Sequence, residues 1–183
     1  MKIVHFHRIL IVLIVALISL SCSSDLDFNQ ANDLKLEPVF ISNLAYFDIP
    51  ANEFVTNGVE RNIIVDSPTV DVFNDAFFTN HLTRADLSFE INNTINRTYT
   101  LDIVLRDKNN QPLYLINFNI PAYSGTENLV TKNEIFESTK LDLLKSTTRM
   151  TFVLKMLPGA PLNENSLGMI KLRSGVTAYL IVQ

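Results

Sequence analysis

The chain is poor in the residues that most often build catalytic and metal centres. In 183 residues it has one cysteine, no tryptophan, five glycines and three histidines. A single thiol forms no intrachain disulfide and cannot make a cysteine-rich zinc site. Basic residues are also short: 15 Lys+Arg face 19 Asp+Glu, for a net charge of -4 and a pI near 5.3. That balance lacks the basic footprint of a nucleic-acid binder. The glycines stand isolated at 58, 125, 159, 168 and 175, so no phosphate-cradling loop is written and no long flexible linker is expected. No period of 20–50 residues repeats, which excludes solenoids and propellers. What is present suits a folded body: 47% hydrophobic and 19% charged residues, in a length that suits one domain.

The first residues read as an address. Lys2 and Arg8 precede an apolar run, Ile9 to Leu20, interrupted by Ser19 alone, and small residues Ser21-Cys22-Ser23-Ser24 follow. A positive start, a short apolar core and a small-residue cleavage site describe a secretory signal peptide. The run is shorter than the ~20 residues of a spanning helix. Ile18-Ser19-Leu20-Ser21-Cys22 resembles the lipobox of bacterial lipoproteins, although Ser19 stands where that pattern usually has Leu. The resemblance implies cleavage before Cys22, diacylation of its thiol and anchoring of the protein in a membrane. Ser23 is compatible with sorting to the outer membrane, and Ser23-Ser24-Asp25-Leu26-Asp27 resembles the surface-export run of Bacteroidota-type lipoproteins. The expected organisation is a signal peptide over 1–21, a polar tether over 22–33 that could reach ~40 Å if extended, and one domain over 34–183. Loss of residues 1–21 removes Lys2 and Arg8 and no acid, moving the charge from -4 to -6.

Beyond the tether the dominant period is two. Leu87, Phe89 and Ile91 alternate with Ser88, Glu90 and Asn92; Tyr99, Leu101, Ile103 and Leu105 alternate with Thr100, Asp102 and Val104. The turn residues Asp107-Lys108-Asn109-Asn110-Gln111-Pro112 join the second run to an extended stretch over 113–120, the clearest hairpin in the chain. Further strands are expected at 36–41, 44–49, 60–66, 69–73, 148–157, 168–173 and 176–182. Thr131 and Glu134 have capping-box spacing ahead of Ile135, Phe136, Leu141, Leu143 and Leu144, which predicts a helix there, with Ser138-Thr139 as a break. Phe73 and Phe77 are spaced for a single helical turn. The sum is a mainly β fold, an antiparallel Ig-like β-sandwich with one or two short helices.

Two local stretches carry a family likeness. Leu87 to Arg97 resembles the strand entering an Asn turn in late-embryogenesis-abundant type 2 domains, with Thr94 where that family has Pro. Ile120-Pro121-Ala122-Tyr123-Ser124-Gly125 is similar to that family's step after the next hairpin. The likeness covers about residues 85–183 and implies a sandwich without enzymatic activity. The whole chain also resembles uncharacterised Bacteroidota-type lipoproteins, which implies no particular role.

Candidate chemistry is sparse. His81 is the sole histidine after the signal, and no Gly-x-Ser-x-Gly elbow accompanies it. One histidine without cysteine closes no zinc site. Asp66, Asp71 and Asp75 form the densest acidic cluster but follow no calcium-loop spacing. Asn92-Asn93-Thr94 and Asn96-Arg97-Thr98 match the glycosylation sequon, yet a bacterial signal favours a structural reading in which Asn side chains cap a turn. Arg97 is expected to pair across strands with Glu90 or Asp102, and Arg84 with Asp86. Phe77-Phe78, Tyr46-Phe47 and Tyr114 are candidates for an exposed aromatic patch, with core packing the simpler expectation. The expected role is a non-enzymatic binding or scaffolding module, membrane-anchored through Cys22. It would have no cofactor, no metal and an envelope protein, peptide or glycan as partner. The alternatives are a hydrolase with paired carboxylates, marked by two inward acids of raised pKa, and a hydrophobic-ligand carrier with an enclosed cavity.

Overall fold

The computed structural model describes residues 35–183. The signal segment 1–21, Cys22, the tether over 22–33 and Leu34 lie outside the described residues. Leu36–Val182 is one compact unit.

Its strands are β1 (Val39–Pro50), β2 (Val55–Thr56), β3 (Val59–Glu60), β4 (Ile63–Asp66), β5 (Leu82–Asn93), β6 (Tyr99–Arg106), β7 (Pro112–Ile120), β8 (Leu129–Glu137), β9 (Arg149–Met156) and β10 (Met169–Leu180). Two short helices, α1 (Ala76–His81) and α2 (Ser138–Lys145), precede β5 and β9. One four-stranded sheet runs β1-β10-β5-β8 and the other β4-β9-β6-β7, with antiparallel pairing throughout. The expected antiparallel sandwich therefore forms. If the small β2–β3 hairpin is set aside and the long strands are numbered in chain order, the sheets read 1-8-3-6 and 2-7-4-5. This is jelly-roll winding, which differs within the sandwich class from the immunoglobulin order. Consecutive strands mostly swap sheets, so each sheet is assembled from chain-distant partners. Sequence periodicity carries no such information.

Alternation explains the two faces. Ala85, Leu87, Phe89 and Ile91 of β5 and Tyr99, Leu101, Ile103 and Leu105 of β6 are buried, while their neighbours face outward. These buried side chains form the core, with rings such as Phe89 and Phe118 packed edge to face at 5.7 Å. The predicted hairpin turn closes as its residues require: Asp107 Oδ1 accepts from the Asn109 and Gln111 N–H groups at 2.8 Å each.

Several boundaries differ from the sequence reading. The stretches 36–41 and 44–49 merge largely into β1, interrupted by a bulge between Asn43 and Tyr46. Ser174 Oγ fills that bulge, accepting from Ala45 N–H at 2.9 Å and donating to Ala45 O at 2.7 Å. The stretches 168–173 and 176–182 are one strand, β10, running through Gly175. Residues 69–73 are not a strand: Thr69 makes one bridge to Arg149, and Val72–Asn74 is a 3₁₀ turn that drives Phe73 into the core. Pro68 before it and Asn74-Asp75 after it leave no room for a ladder.

The helix predicted from Thr131 is replaced by β8. There nine consecutive residues pair with β5, and that long-range ladder outweighs a two-residue capping signal. The helix begins only at Ser138, where the predicted break lies. The single turn predicted at Phe73 is split into the 3₁₀ turn and α1, whose Asp75 accepts from Phe77 N–H at 2.8 Å.

Candidate functional site

The corner between β5 and β6 shows what the Asn-rich turn does. Asn93 is fully buried; its Nδ2 donates to Arg97 O at 2.9 Å and Pro121 O at 2.7 Å, while Oδ1 accepts from Ile95 N–H at 2.9 Å. The expected capping role is therefore met at Asn93. Arg97 does not pair with Glu90 or Asp102. It sits in the turn, not on a strand, and its side chain crosses to the far loop. Nε donates to Leu157 O at 2.6 Å, Nη1 to Ala160 O, and both terminal nitrogens approach Glu60 at 3.3 Å. Glu60 Oε1 in turn accepts from Leu162 N–H at 2.6 Å. Arg97 thus staples three distant segments. Arg84 and Asp86 do pair, at 2.7 Å, beside Tyr179.

The other predicted residues stay apart. His81 ends α1, with Nδ1 3.0 Å from Ile181 O and its ring 4.8 Å from that of Phe77. Asp66 and Asp75 each accept from a nearby backbone N–H, at Ser67 and Phe77. Among the described residues no group of three His, Cys, Asp or Glu side chains is placed to hold a metal ion. Among the described residues, two carboxylates, Asp48 and Glu134, have clearly displaced ionisation. The hydrogen bond from Arg173 holds Asp48 below its ordinary range. Burial pushes Glu134 up, but the bonds from Lys140 at 2.7 Å and Tyr114 at 3.0 Å together outweigh it and leave it low. Both shifts are opposite to that of a general acid.

The aromatic candidates divide. Phe78 lines a cleft, Phe47 packs edge to face on Phe152 at 6.2 Å, and Tyr114 lies against Phe136 at 5.3 Å. Tyr46 stands 76% exposed beside the Arg173 guanidinium.

One mainly apolar cleft among the described residues has binding geometry. It measures about 370 Å³ and lies between the first half of β1 and the segment 69–73. Phe40 and Leu44 form one wall, Val70 and Phe73 the other, with Val176 and Ala178 of β10 also lining it. It exists because β4 has only four residues and the chain after it turns inward at Phe73 without extending the sheet. The sandwich is therefore unsealed on this side, and Phe40 remains 49% exposed although it faces inward. A volume of this order suits a large apolar group. Periodicity marked Phe40 and Leu44 as strand residues; nothing in it showed that they would stand opposite Val70 and Phe73.

The chain matches no family model, and no curated protein matches it either. Among solved structures it is similar to the VP2 subviral particle of infectious bursal disease virus, at 12% identity and a TM-score of 0.44 over 78% of this chain and 32% of that one. It is also similar to a protein of Parabacteroides distasonis proposed to be secreted, at 13% identity and a TM-score of 0.44 over 63% of this chain and 37% of that one. The chain spans about a third of the length of either.

Proposed function

We propose that this protein is a non-enzymatic binding module of a bacterial cell envelope, anchored through an acylated Cys22, most simply in the outer membrane. It holds another envelope component against the cleft beside β1. The observation that carries the reading is that cleft: an open, mainly apolar recess of about 370 Å³ beside a sheet edge. Acyl chains contribute ~0.8 kcal/mol per buried CH2, so a multiply acylated terminus would hold the domain at a membrane surface. A hydrolase would instead need two acids of unequal, partly raised pKa. A carrier would need its apolar cavity closed to water, whereas this one opens along a sheet edge.

The test is affinity capture with cross-linking from intact cells, run beside Cys22→Ala. The reading expects a discrete envelope partner cross-linked at the β1 side, acyl-analogue labelling of the wild type, and loss of both membrane retention and label in the variant. Labelling unaffected by the substitution would remove the anchor. Robust turnover of an envelope polymer, abolished by changing a single acid, would remove the non-enzymatic role.

A further inference from the structure

Among the described residues, nothing pairs with the outer side of β1 along the edge that borders the cleft. Natural sheets protect their edges with charge, proline, bulges or short strands. The outer strand of the same sheet, β8, follows that rule with Lys132, Glu134 and Glu137. At the other end, Val39-Phe40-Ile41-Ser42-Asn43 has no charge and no proline, and the bulge comes only after Asn43. Val39 and Ile41 are 52% and 80% exposed.

The ladder shows which backbone groups of β1 face away from β10. Leu36 exchanges both hydrogen bonds with Val182 at 2.9 Å, and Leu180 N–H donates to Pro38 O at 3.0 Å. In an antiparallel pair such residues alternate with ones whose backbone points the other way. Even-numbered residues therefore direct their backbone polar groups to β10, and Val39, Ile41 and Asn43 direct theirs away from the sheet, Asn43 O also accepting from Ser42 Oγ at 3.2 Å. On the same strand Phe40 and Ser42 line the cleft. Hydrogen-bonding lane and apolar recess thus run side by side.

Resting on the binding-module reading, we propose that the partner enters as an extended segment which pairs with Val39–Asn43 as an added strand and places apolar side chains from alternate positions into the cleft. Strand addition draws affinity from main-chain bonds and specificity from pockets for every second residue, and this edge offers both. Asp71 stands on the cleft wall and no Lys or Arg is among the described residues that line it, so a basic residue on the segment is favoured over an acidic one. A second copy of the folded domain fits less well. Five residues at ~3.4 Å each give a lane of about 17 Å. That is short for two rigid sandwiches that need about 800 Å² per partner.

The probe is a labelled, end-capped heptapeptide, lysine-phenylalanine-threonine-valine-threonine-leucine-threonine, titrated against the full chain in detergent micelles by fluorescence anisotropy. Two N-methylated versions accompany it, one methylated on the threonines and one on the apolar residues. Strand pairing uses only one row of amides, so one version should lose at least tenfold in affinity while the other retains it. Ile41→Pro removes an outward N–H without touching the β10 ladder, and should weaken the parent peptide at least tenfold with the melting temperature little changed. Equal binding by all three peptides would mean apolar burial without pairing and overturn the proposal, as would a parent peptide that does not saturate by about 1 mM. Neither result bears on the capture experiment. A partner cross-linked elsewhere on the sandwich would preserve the binding module while the strand proposal fell.

Discussion

Arg97→Met should be among the most damaging single substitutions in the domain. Its side chain is 6% exposed and that of Glu60 26%. Methionine retains much of the stem but strips the donors from Leu157 O and Ala160 O and leaves Glu60, among the described residues, with only the Leu162 N–H. Breaking a buried ion pair from one side costs about 3–5 kcal/mol, because the remaining charge is stranded. Glu60 is partly hydrated, which lowers that figure, and the two orphaned carbonyls raise it again. We take about 3 kcal/mol, which at 2–4 °C per kcal/mol for a chain of this size lowers Tm by about 6–12 °C. Urea unfolding of protein beginning at Ser23 measures it, with Glu60→Leu and the double variant completing a cycle. The double variant should be less destabilised than the two single losses added together, since removing both charges strands neither. A single variant within 1 kcal/mol of wild type, or strict additivity, would refute the staple.

Tyr99 Oη is the buried side-chain polar atom that meets no partner among the described residues, and burial pushes its phenol up. Tyr99→Phe should therefore be neutral or stabilising by up to about 1 kcal/mol in the same unfolding assay; a loss of that size would show that the hydroxyl is bonded. The Glu134–Lys140 pair adds a pH dependence. Glu134 is lower in the folded protein than its ordinary 4.5, so its stabilisation is complete above that value and is lost as pH falls through the folded one. Glu134→Gln should be less stable than wild type at neutral pH, with the gap closing as pH falls below 4.5. A constant gap would remove the charge from the account.

Strand content was legible where local chemistry and tertiary demand agree. The β6–β7 hairpin is an example: alternating Tyr99 to Leu105, then an Asp107 that folds its own turn. It failed where they conflict. Thr131 and Glu134 write a helix start, yet β5 needs a partner on that side and its ladder claims them for β8. Arg97 was legible as a charge seeking a mate but not as a loop staple, because Glu60 and residues 157–162 approach it only through the winding of the sheets.

Composition and period by themselves determined a two-faced β body without disulfides, since alternation at every second residue leaves a chain little choice but to stack one sheet on another. Only the tertiary structure decided the jelly-roll order, the loop stapled by Arg97 and the cleft beside β1. Each depends on which chain-distant segments become neighbours, and that is settled by sheet pairing and packing over the whole domain, not by residues a few places apart.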